Sequence, residues 1–67
     1  MNRIKELRLR KGLIQSDLAR QVNVDQATIS YVERDCFCYI PLANRLAEFF
    51  RVPLEYLFPE GIKPKRR

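Results

Sequence analysis

Residues 15–34, QSDLARQVNVDQATISYVER, decide how this chain folds. Leu18, Ala19 and Val22 share one face at helical spacing, and Ile29 and Val32 do the same further on. Between the two runs stands Asn23-Val24-Asp25. Asparagine tolerates the left-handed backbone that closes a helix. Asp25 is suited to cap the next helix by accepting its orphan N–H groups. Val24 is apolar inside this turn, so the turn itself is expected to send a side chain inward. Ala19 is small where the second element must cross closely.

Two short helices joined by a tight turn make a helix-turn-helix, whose second helix has the dimensions to enter a DNA major groove. Working outward, Ile4-Lys5-Glu6-Leu7-Arg8 followed by Gly12-Leu13 predicts a helix over 3–11 with Asn2 as its cap and Gly12 as its stop. Pro41 to Phe50 reads as a fourth helix with proline in its first turn, and Leu54 to Phe58 as a fifth. The ordered set of Gln15, Leu18, Ala19, Val22, Val24, Ile29, Val32 and Glu33 resembles the Cro/repressor-type (XRE) family of transcriptional regulators. The upstream segment, Leu46-Ala47 and Val52-Pro53-Leu54-Glu55-Tyr56-Leu57-Phe58 extend the resemblance over roughly residues 2–58. It implies an all-α, compact five-helix, phage-repressor-like DNA-binding domain over residues 1–58. Residues 59–67, PEGIKPKRR, read as a basic flexible tail.

Composition narrows the functional classes. Sixty-seven residues make one small domain, and a domain of this size buries only about 60% of the surface of its unfolded chain. The net charge of +5 favours a polyanionic partner. No apolar run approaches the roughly 20 residues of a membrane span, and no signal-peptide pattern opens the chain. A cytoplasmic location is therefore expected. Cys36 and Cys38, with no histidine beside them, fall short of the four ligands of a structural zinc site. A disulfide between them would be strained. Free thiols follow, with a redox switch near Arg34 as the alternative. No cofactor or small-molecule ligand is expected. The lack of histidine and of a glycine-rich phosphate loop argues against an enzyme.

The resemblance assigns roles to individual residues. Arg8 is expected to pair with Glu33, tying the first helix to the third through a guanidinium fork. Gln15 opens the second helix, where it would hold a DNA phosphate and buttress a reading residue. Ile14 departs from the family's small polar cap, at a cost of about 1 kcal/mol. The third helix, expected over 26–34, turns Gln26, Ala27, Ser30 and Tyr31 outward with Thr28 at the edge. Gln26, Ala27, Thr28 and Tyr31 are the implied base contacts. Glutamine bridges adenine N6 and N7, and a small apolar group meets a thymine methyl. Gln15, Arg10, Ser30 and Arg34 are the implied DNA-backbone contacts.

Residues 35–40 depart furthest from the family, since Asp35 replaces glycine and the loop is apolar and aromatic. Ile40 is expected to anchor it inward. Phe37 and Tyr39 either fold over the core or form a partner surface. Tyr56 and Phe58, facing outward from the fifth helix, would join a dimer contact. The reading that follows is a sequence-specific DNA-binding regulator, a repressor acting as a homodimer on a pseudo-palindromic operator. The alternative is a protein-interaction module, such as an antitoxin-like partner, built on the same fold.

Overall fold

Three helices in this chain end in the same way, and those endings set the path of the backbone. In the computed structural model, which describes residues 2–35 and 37–64, Gly12, Asn23 and Arg51 all adopt positive φ, at 71°, 64° and 57°. After each, the next residue's N–H donates back to a carbonyl five residues earlier: Leu13 to Arg8 at 3.1 Å, Val24 to Ala19 at 2.9 Å and Val52 to Ala47 at 3.1 Å. This closure satisfies carbonyls that a helix end leaves without partners and reverses the chain sharply. Val24 and Val52 then pack against the core, as the apolar residue of such a closure tends to do. Leu13, expected in the core, is only half-buried.

The elements in order are α1 (Ile4–Arg10), α2 (Gln15–Gln21), α3 (Gln26–Asp35), β1 (Phe37–Cys38), α4 (Ile40–Phe50), α5 (Leu54–Leu57) and β2 (Lys63–Pro64). The molecule is helical, as its patterning predicts. Asn2 helps start α1: its Oδ1 accepts from Ile4 N–H at 3.1 Å, while its Nδ2 donates to Val32 O at 2.8 Å. At the start of α2, Ile14 supplies no side-chain acceptor. The Asp17 carboxylate nevertheless accepts the Ile14 N–H at 3.1 Å, so half of a capping box is in place.

Leu18, Ala19 and Val22 of the α2 region, Ile29 and Val32 of α3, and Leu42, Ala43 and Leu46 of α4 are all buried. Ile4 from α1, Ala47 and Phe50 from α4, Leu57 from α5, and Cys38 and Phe58 join them. Two hydrogen bonds tie the outer helices, one from the backbone and one from a side chain: Arg3 N–H donates to Leu57 O at 2.9 Å, and Arg45 Nε donates to Val22 O at 3.0 Å.

Four expectations are corrected. Ile40 is the first residue of α4, one earlier than expected, and is exposed rather than an inward anchor. Phe58 is 3% exposed and belongs to the core, so it cannot face a dimer partner without rearrangement. Helical spacing does not govern it, because α5 stops at Leu57 and Phe58 leaves at φ −124°, ψ 74°. Residues 59–64 are not a loose tail. Gly61 N–H donates to Phe58 O at 2.9 Å, Ile62 packs on the core, and β2 pairs in parallel with β1, Phe37 opposite Lys63 and Cys38 opposite Pro64. Cys38 is buried, which removes it from any exposed thiol pair beside Arg34. Cys36 and residues 65–67, with the expectations that fall on them, lie outside the described residues.

Candidate nucleic-acid interface

The interface is built from the inside outward, starting at an ion pair. Arg8 and Glu33 come from α1 and α3, and their side chains are 8% and 6% exposed. Arg8 Nε donates to Glu33 Oε2 at 2.7 Å and Nη2 donates to Oε1 at 3.2 Å, a two-point grip that also fixes the angle between the groups. Arg8 Nη1 donates to Leu13 O at 2.8 Å, which carries the pair into the turn after α1. A buried charge pair is tolerable only when its remaining lone pairs and protons are occupied. No buried side-chain nitrogen or oxygen among the described residues lacks a partner.

That occupancy reaches the surface. Gln15, the first residue of α2, donates from Nε2 to Glu33 Oε1 at 3.1 Å. Its Oε1 accepts from Gln26 Nε2 at 2.6 Å. The structure therefore joins four of the expected site residues, Arg8, Glu33, Gln15 and Gln26, in one hydrogen-bonded line from core to solvent.

The start of α3 is held separately. Asp25 Oδ1 accepts Thr28 N–H at 2.9 Å and Thr28 Oγ1–H at 2.6 Å. The Thr28 hydroxyl, and next to it the Thr28 N–H, hold the Asp25 carboxyl below the ordinary carboxylate value of 3.8. Thr28 is half-buried, and its hydroxyl is engaged in this cap.

Gln26 and Ala27 are exposed, and Ser30 and Tyr31 are half-buried. The Arg34 guanidinium stands 5.7 Å from the Tyr31 ring centroid, a cation–π contact that places both at the far end of α3. Arg10, on α1, pairs with Glu6 at 2.7 Å. That pair is exposed, so it costs little to break.

Two of the expected dimer residues, Tyr39 and Tyr56, have different surroundings. Tyr39 borders a cavity of about 310 Å³ together with Ala27, Thr28 and Tyr31. Tyr56 is instead held at the other end of the chain, where the Arg3 guanidinium lies 4.4 Å from its ring centroid and Arg3 Nε donates to its carbonyl at 2.9 Å. Nothing is described of the Phe37 side chain. Among the described residues there is no group of three or more His, Cys, Asp or Glu side chains placed to hold a metal ion. Likewise, no helix there is long and apolar enough to cross a membrane.

Two short helices meeting at a left-handed turn, the second exposing a polar face braced from the core, define a helix-turn-helix DNA-binding domain. Residues 4–35 match the family model described as Helix-turn-helix, that of Cro/C1-type (XRE) DNA-binding regulators. No curated protein matches the chain.

Two features of the site escape sequence reading. Arg45 reads as a surface arginine of α4, yet it donates to the last turn of α2 and steadies the approach to α3. The link from Gln15 to Glu33 has no signal in the sequence either, because it depends on how close the start of α2 comes to α3.

Proposed function

We propose that this chain is a sequence-specific transcriptional repressor, acting in the cytoplasm as a homodimer on a pseudo-palindromic operator. In this reading α3 lies in the major groove. Gln26 and Ala27 read base edges, joined by the Thr28 methyl and Tyr31. Gln15, Arg10, Ser30 and Arg34 hold phosphates and set the register. The observation that carries it is the exposed Gln26 amide, held at 2.6 Å by Gln15 at the open start of α2. An amide held this way reaches a base with less ordering to lose than a loose one.

Selection of bound duplexes from a random pool tests the whole reading. The expected product is an inverted repeat whose half-site centres lie one helical turn, about 34 Å, apart. Single half-sites would reject the homodimer. No retention of any duplex at low salt would reject DNA binding and leave a protein-interaction module as the reading.

A further inference from the structure

We propose that Glu33 is a specificity-determining residue: through Gln15 it fixes which way round the Gln26 amide is presented. This rests on the reading of α3 as the groove-entering helix.

The argument is one of donor and acceptor counting. A carboxylate in a guanidinium fork only accepts. Glu33 Oε1 already receives Arg8 Nη2 at 3.2 Å, so the Gln15 group facing it at 3.1 Å must be the donor, Nε2. Gln15 is thereby committed to turn its oxygen the other way. The Gln26 group facing that oxygen at 2.6 Å must in turn be its own Nε2. An amide is close to symmetric in shape, and only such a chain distinguishes its two ends. With one Nε2–H spent on Gln15, the Gln26 amide meets a base with its oxygen and its second N–H. That is one acceptor beside one donor, the complement of adenine N6–H and N7, whereas guanine O6 and N7 are both acceptors. The charge that selects the base thus lies in the core, two side chains from the groove. Glu33 is a positioning residue here, because it touches no DNA.

Two variants separate this from a merely structural role. Gln15→Met cuts the line and leaves the ion pair intact. The double variant Arg8→Met with Glu33→Leu removes the carboxylate and fills the space with apolar groups, a replacement that buried ion pairs often tolerate. Each is to be profiled by quantitative binding to all single-base variants of the selected duplex, beside wild type and Gln26→Ala. Both should weaken the preference for adenine over guanine at the one base pair that Gln26→Ala affects. The expected loss is about 2- to 10-fold, the scale of freeing one rotamer-rich side chain. Preferences at other base pairs should stay as in wild type.

A wild-type preference in Gln15→Met, with Gln26→Ala altered, would overturn the relay while leaving DNA reading intact. If wild type retains no duplex at all, the reading beneath it fails instead. Should the double variant not fold, Gln15→Met decides alone.

Discussion

Glu33 is the residue on which most depends. It joins α1, α2 and α3 through Arg8 and Gln15, and its side chain is almost wholly buried. Glu33→Ala leaves the Arg8 guanidinium buried with only its bond to Leu13 O in place. The expected loss is about 3–5 kcal/mol, a large share of the 5–15 kcal/mol typical of a folded domain. A thermal melt checks it, and a midpoint within a few degrees of wild type would show that the pair contributes little. Gln26→Ala, by contrast, should leave the melt unchanged and cost about 1–3 kcal/mol of discrimination at one base pair. Binding competition between duplexes differing there measures it.

Asp25 supplies a pH dependence of definite sign. Its folded carboxyl ionises below the unfolded value of 3.8 because Thr28 donates to it twice. The unfolded state therefore takes up a proton first as pH falls. The contribution of Asp25 is complete above the unfolded value and disappears as pH drops through the folded one. Asp25→Asn keeps a capping side chain without the charge. Its acid unfolding curve should be flatter than that of wild type in that range, while the two run parallel near neutrality. Identical acid limbs would mean that the cap carries no charge-dependent stability.

At the level of the helices, α2 has an unfinished start. Asp17 already accepts the Ile14 N–H at 3.1 Å, while Ile14 is 62% exposed and returns nothing. Ile14→Ser would complete the reciprocal pair with the Asp17 N–H and remove an apolar side chain from water. A gain of about 1 kcal/mol is expected, which for a domain of this size raises the melting midpoint by roughly 4–8 °C. A fall in the midpoint would show that Ile14 has a packing role that its exposure hides.

The helices were the most legible part of the chain, for reasons that particular residues make plain. Gly12 and Asn23 announce left-handed turns by their chemistry. Arg51 does the same job at φ 57° without any compositional signal, so only the break at Val52-Pro53 revealed that end. Phe58 and Ile40 depart from expectation because periodicity speaks only for residues inside a helix, and both lie at or beyond an end. The β1–β2 pair was invisible, since two-residue strands show no alternation and their partners lie 26 positions apart, as Lys63 minus Phe37 gives. Of the site, the Arg8–Glu33 pair and the outward face of α3 could be anticipated from the family's pattern. The contact of Gln15 with a reading residue follows from the same pattern, whereas its contact with Glu33 could not be anticipated, because it depends on distances.

For the molecule as a whole, Cys38 is a built-in gauge of integrity. Burial pushes its thiol up to about 11, only partly opposed by the nearby Arg45 charge. The group is thus both covered and protonated at neutral pH, and the thiolate is the reactive form. In a Cys36→Ser background, an alkylating reagent should modify Cys38 no faster than the protein opens. Labelling should rise in step with unfolding as urea is added. Labelling in native buffer as fast as that of a free thiol would show that this side of the molecule opens on its own.

The parallel seam between residues 37–38 and 63–64 also has a bearing on synthesis. In a chain emerging from the ribosome, the strand that follows α3 must wait for a neighbour made 26 residues later. Until residue 64 is outside, the edge that follows α3 lacks the strand it pairs with.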